Sequence, residues 1–113
     1  MSFKKSQKLY EKGLTNLVGA VNSPVRAFAS VGGNPLFIKR GRGSQIIDVD
    51  GNKYVDLVLS YGPMILGHRH NKVQKAVNKA LKNGYSFGAS TENEITLAKI
   101  VCDAFPGMDK VRF

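Results

Sequence analysis

The feature that most constrains this chain is a pair of turns set between runs of strand-forming residues. Asp50-Gly51-Asn52 separates Gln45-Ile46-Ile47-Asp48-Val49 from Lys53-Tyr54-Val55-Asp56-Leu57-Val58-Leu59. An Asp-Gly step supplies the positive φ that a tight hairpin needs, so alternating runs on either side of it pair antiparallel. Gly41-Arg42-Gly43 closes an earlier run, Leu36-Phe37-Ile38-Lys39-Arg40. Three strands joined by two short turns predict an antiparallel meander. The Gly41-Arg42-Gly43 turn is not a phosphate loop, because no helix follows it and the G-x-G-x-x-G and Walker spacings are absent.

Helical signals flank the meander. Ser6 to Leu17 carries Leu9, Tyr10, Leu14 and Leu17 on a loose apolar face, with Gly13 as a weak point. The stretch from Val18 to Asn34 is irregular. Asn71 to Lys82 predicts a helix stopped near Gly84. Lys72, Lys75, Lys79 and Lys82 form one face of it, and Val73, Ala76, Val77, Ala80 and Leu81 the other. Thr91 opens a further helix, with Glu94 in capping-box position and a wide apolar face of Ile95, Leu97, Ala98, Val101 and Cys102. Pro106-Gly107 ends it, and Val111-Arg112-Phe113 reads as the start of another strand. The expected fold class is therefore α+β: an N-terminal helix, a three-stranded antiparallel meander, then two helices.

Composition narrows the function classes. At 113 residues the chain is one domain or part of one, and its 42% hydrophobic content argues against disorder. No apolar run is long enough for a bilayer span, and no apolar segment follows Lys4, Lys5 and Lys8 to make a signal peptide. Cys102 is the only cysteine, so no intrachain disulfide forms, and a cytoplasmic setting is expected. The formal charge of +9 raises nucleic acid as a partner. The lysines, however, lie on one helix face and in a separate N-terminal segment. No aromatic residues alternate with them as stacking platforms, so neither nucleic acid nor membrane is an expected partner.

Several polar clusters read as structural. His68 and His70 stand two apart with no acidic or thiol ligand close in sequence, so no metal is expected. Strand alternation and the hairpin turn account for Asp48, Asp50 and Asp56, not a paired-carboxylate site. Ser86, Ser90 and Thr91 have no adjacent histidine base.

One segment is less easily dismissed. Val21-Asn22-Ser23-Pro24-Val25-Arg26-Ala27-Phe28 holds an arginine in a stiff, irregular elbow. Pro24 fixes its own φ and pushes Ser23 toward extended backbone. A guanidinium held in that way suits bidentate capture of a carboxylate or phosphate, or a structural ion pair with an acidic neighbour.

This elbow, together with Ser60-Tyr61-Gly62-Pro63-Met64-Ile65-Leu66-Gly67-His68, resembles the glutamate-1-semialdehyde 2,1-aminomutases. That family belongs to the class III aminotransferases among the fold-type I pyridoxal-phosphate enzymes. The likeness continues through 48–56, 85–92 and 106–113, so it spans nearly the whole chain. The elbow is specific to the aminomutases; the Asp-Gly turn and the Gly-His stretch specify only the superfamily.

The resemblance implies conversion of glutamate 1-semialdehyde to 5-aminolevulinate, a tetrapyrrole (porphyrin) precursor, with pyridoxal phosphate or pyridoxamine phosphate as cofactor. It implies that Arg26 grips the carboxylate of a small amino-acid aldehyde, that the Ser23 hydroxyl contacts the substrate, and that Tyr61 walls the pocket. Pro24 between them is expected to make Ser23 and Arg26 converge. Tyr61 departs from the family's usual tryptophan and also reads as a plain core or interface aromatic. Ala20 stands where glycine is usual, and Asn71 and Ser90 where proline is usual.

By the same resemblance, the chain is the N-terminal segment of a fold-type I transferase whose large α/β domain is missing. About 1–70 would belong to the small domain, and about 71–113 would be helices leading into the large one. The Schiff-base lysine and the cofactor-phosphate turn are absent from these residues. The parent enzyme is expected to be a homodimer. The segment alone is expected to be inactive, without bound cofactor, and to expose apolar surface. Two alternatives stay open: a segment of another class III aminotransferase, or a basic non-catalytic binding module.

Overall fold

The computed structural model describes residues 1–113. The chain divides into two units, Met1–Lys75 and Ala76–Phe113. The first carries helix α1 (Lys4–Gly13) and strands β1 (Ile38–Arg42), β2 (Gln45–Asp48) and β3 (Lys53–Val55). Helix α2 runs Asn71–Ala80, and the second unit holds helix α3 (Glu92–Ala104).

The meander forms in the order β1-β2-β3, antiparallel throughout. Arg42 pairs with Gln45, so the first turn is the two-residue Gly43-Ser44, one step later than the sequence indicates. Gly43 takes φ 56°, the left-handed backbone a tight hairpin requires. A bulge between Ile38 and Arg40 shifts the register. Asp50-Gly51-Asn52 lies in the β2–β3 turn as expected.

The turn also does something the strand pattern did not signal. Asp50 caps helix α1. Its Oδ1 accepts the Lys5 N–H, and its Oδ2 accepts the Ser6 N–H and the Ser6 hydroxyl, each at 2.8 Å. Helix α1 has no acidic residue in its own first turn, so a carboxylate 44 residues away supplies the missing charge at its positive end. Asn52 adds a bond from its amide to the Ser2 carbonyl. Beside it, Asp48 is 1% exposed and accepts the Asn52 N–H, the Asn52 amide and the Tyr54 hydroxyl. The buried residues of this unit are Ser6, Ala20, Pro35 and Asp48, so half of its small interior is polar.

Three boundaries differ from expectation. Helix α1 stops at Gly13 and not at Leu17, because the Thr15 hydroxyl turns back onto the Lys12 carbonyl and the chain tightens there. Strand β3 stops at Val55 and not at Leu59, because the Asp56 carboxylate takes the N–H groups of Val58 and Leu59 out of any ladder. Val111–Phe113 forms no strand, since it has no partner to pair with.

In the second unit, α3 begins at the capping site read from the sequence: the Thr91 N–H and hydroxyl both reach Glu94 Oε1, at 2.9 and 3.0 Å. Lys99 bonds Asp103 one turn on. No residue of this unit is buried. On the expected apolar faces the large side chains are exposed, while Ala98, Val101 and Cys102 of α3 are half-buried. Val73, Val77 and Leu81 are 39–49% exposed, and Ile95, Leu97 and Ile100 are 48–73% exposed. No helix is long and apolar enough to cross a membrane.

Candidate functional site

A cavity of about 550 Å³ opens in the first unit. Three segments wall it: the elbow, through Ala20, Val21, Asn22 and Arg26; the approach to β1, Pro35–Ile38; and the turn after β3, through Val58, Ser60 and Tyr61. The elbow folds as two short 3₁₀ turns, Val18–Ala20 and Pro24–Arg26. Pro24 sits at the first position of the second, where its fixed φ suits the turn and its missing N–H leaves nothing unpaired. The Arg26 N–H closes this turn on the Ser23 carbonyl at 3.0 Å.

Of the three residues singled out in the sequence, Arg26 and Tyr61 line this one cavity. Ser23 is not among its lining residues; its extended backbone (φ −155°) sets it just outside the turn that carries Arg26. Arg26 makes no salt bridge and its side chain donates no hydrogen bond within the chain, so the structural ion-pair reading finds no partner here. An exposed, unpaired guanidinium beside apolar walls and the Asn22 and Ser60 side chains suits a single carboxylate.

The Tyr61 wall is built on unusual backbone. Leu59, Ser60 and Tyr61 take φ 51°, 53° and 64°, three consecutive non-glycine residues in the left-handed region. Each such residue costs about 1–2 kcal/mol, and runs of them are rare. The surrounding bonds hold the turn: Tyr61 N–H to the Val58 carbonyl (2.9 Å), Gly62 and Met64 N–H to the Leu59 carbonyl (3.1 and 3.2 Å), and the Asp56 carboxylate on Val58 and Leu59. Ala20, which lines the same cavity, is also left-handed at φ 57°, which gives a physical reason for glycine to be usual there.

The sequence places no acidic or thiol ligand close to His68. In space its Nε2 lies 2.6 Å from Asp56 Oδ2, twelve residues back. The His68 hydrogen bond, then the Val58 and Leu59 N–H groups, hold the Asp56 carboxyl below its ordinary value. A carboxylate held ionised only accepts, so the proton lies on His68 Nε2. Asp48 and Asp50 are also lowered: burial pushes each up, and the hydrogen bonds each accepts outweigh it. Burial first, then Asp48, pushes the Tyr54 hydroxyl up. No cluster of metal-ligand side chains occurs.

The class-III aminotransferase family model matches residues 28–113, and the chain belongs to that family. A glutamate-1-semialdehyde 2,1-aminomutase from Thermodesulfovibrio yellowstonii is 58% identical over all 113 residues, and another from Persephonella marina is 53% identical. The chain spans 26% of the length of each. Among solved structures, a β-phenylalanine aminotransferase from Variovorax paradoxus superposes with a TM-score of 0.86 at 29% identity, over 95% of this chain and 24% of that one.

Class III aminotransferases are pyridoxal-phosphate enzymes. The cavity offers one cation and no lysine, which suits one carboxylate and leaves no amine for a Schiff base. These residues do not by themselves compose a site for that cofactor.

Proposed function

We propose that this chain is the substrate-gripping N-terminal segment of a glutamate-1-semialdehyde 2,1-aminomutase. The observation that carries the reading is Arg26, unpaired, lining the same cavity as Tyr61. The identity of 53–58% to proteins of that name supports the particular activity. Isomerising glutamate 1-semialdehyde moves an amino group between neighbouring carbons while the far end of the molecule stays put. A guanidinium on the carboxylate anchors that far end, and a flat aromatic wall keeps the chain of carbons in line. The cofactor supplies the exchanging amino group from the remainder of the enzyme. Ser23 acts, in this reading, from the rim and not from the cavity lining.

Residues of about 1–70 would serve the small domain, and those of about 71–113 would lead into the large one. The uncovered apolar faces of α2 and α3 support packing against further polypeptide and a homodimeric enzyme. The lone Cys102 fits a cytoplasmic setting.

The test is a chimaera of these 113 residues with the remaining three quarters of the Thermodesulfovibrio relative. It should form 5-aminolevulinate with no added keto acid. Arg26→Ala in it should raise KM by roughly thirtyfold or more, matching a loss of about 2 kcal/mol or above for an abandoned carboxylate. Unchanged KM would remove Arg26 from the site. The likeness to the β-phenylalanine aminotransferase favours a second reading, transfer of nitrogen between two molecules. A strict requirement for a keto-acid acceptor would establish it in place of the first.

A further inference from the structure

The left-handed turn Leu59–Tyr61 has to be held from outside, and one side chain supplies two of its anchors. Asp56 Oδ1 accepts the Val58 N–H at 2.9 Å and the Leu59 N–H at 3.2 Å. Its second oxygen accepts a hydrogen bond from His68 Nε2 at 2.6 Å. This pair is not a solvated surface contact, since the His68 and Asp56 side chains are 20% and 9% exposed. His68 is fixed in turn. Its backbone exchanges both hydrogen bonds with Gly43, at 2.8 and 2.9 Å, in a bridge beside the first hairpin. Its ring occupies the space over Gly41, where an added Cβ would come within 2.6 Å of Cγ. A continuous series of contacts therefore runs from β1 through the imidazole and the carboxylate to the turn that places Val58, Ser60 and Tyr61 on the cavity wall.

The geometry points to His68 and Asp56 as positioning residues for that wall. The imidazole orients the carboxylate, the carboxylate holds the turn, and the turn sets where Ser60 and Tyr61 stand relative to Arg26. Neither residue lines the cavity, so neither is a catalytic residue. A planar ring suits this task because it offers one donor in a fixed direction and slides over a glycine. A lysine would have to thread a flexible chain through the same gap. The consequence for substrate rests on the carboxylate reading of the Arg26 cavity; the mechanical part does not.

The chain contains no tryptophan, so Tyr61→Trp places a single fluorescent reporter on the wall. In that background, His68→Ala should lower the anisotropy of the reporter and raise its quenching by iodide. His68→Gln, whose amide N–H reaches about as far as Nε2, should restore both. Gly41→Ala should reproduce the His68→Ala effect with both members of the pair chemically intact. In the chimaeric enzyme with native Tyr61, His68→Ala and Gly41→Ala should each raise KM roughly tenfold, and His68→Gln should bring it most of the way back.

A reporter unmoved by both His68→Ala and Gly41→Ala overturns the proposal. So does a His68→Gln variant no better than the alanine. Should His68→Ala lose its folded circular-dichroism signature, Gly41→Ala decides. Loss of fold in both would make the pair a general support and end the positioning role. If the reporter responds but Arg26→Ala leaves KM unchanged, the wall is positioned as inferred and the carboxylate reading fails. If Arg26→Ala raises KM while the reporter stays still, the reverse holds.

Discussion

Residues 1–75 and 76–113 are ordered by different means. In the first unit carboxylates sit at the centres of the decisive contacts, two of which join separate segments: Asp50 on α1, 44 residues away, and Asp56 on His68, twelve away, with Asp48 between the nearer Asn52 and Tyr54. In the second, every side-chain contact is local: Thr91 with Glu94, Thr96 with the Glu92 carbonyl, Lys99 with Asp103. The first unit buries Ser6 and Asp48 and satisfies both through hydrogen bonds, while His70 Nδ1 is buried without a partner; the second buries nothing and relies on helix-end chemistry. Stability in the first unit is thus vulnerable at single crossing points, while in the second it is spread over small increments.

That contrast can be broken or sharpened by substitution. The largest effect should come from Gly67→Ala. Gly67 takes φ 76°, and an added Cβ would lie 2.8 Å from the Gly43 carbonyl oxygen, which is backbone and cannot swing away. Left-handed strain plus overpacking predicts a loss of about 3 kcal/mol, read by amide hydrogen exchange in β1 and β2, with α3 unaffected.

Acid comes next. Asp48, Asp50 and Asp56 all titrate below their ordinary 3.8 in the folded chain. A carboxyl with a depressed folded value contributes fully above 3.8 and loses that contribution as the pH falls through the folded value. Melting followed from pH 6 down to pH 2 (roughly the range of such titrations) should show the first unit weakening and the α3 helix signal changing far less. Equal acid loss in both would undo the contrast.

Smaller effects belong to the second unit. Thr91→Ala removes the helix cap and should cost about 1 kcal/mol, seen as fraying at the start of α3. Lys99→Ala should cost only about 0.3–0.5 kcal/mol, vanishing in high salt, because both partners are largely exposed.

Legibility in the sequence follows the same division. The capping box at Thr91 and Glu94 was readable because its partners are three residues apart. The meander was readable because alternation and an Asp-Gly step are local signals. The end of β3 was not, since Asp56 looked like one more alternating strand residue and its capture of Val58 and Leu59 depends on backbone geometry. The partnership of His68 with Asp56 carries no local signal, since twelve residues separate the two. Gly41 gave no sign of it, since its place under the His68 ring depends on the fold. Arg26 and Tyr61 were found through family likeness; their common cavity could not be read from spacing, and the absence of Ser23 from its lining could not either.

The order of elements, the antiparallel strand pairing and the start of α3 were determined by the sequence alone, because turns, caps and apolar periods act over a few residues. Only the tertiary structure decided which carboxylate serves which helix or imidazole, and which backbone is driven left-handed to make a wall. Those choices depend on groups twelve to 44 residues apart meeting at hydrogen-bond distance, where one satisfied buried charge can outweigh any local preference.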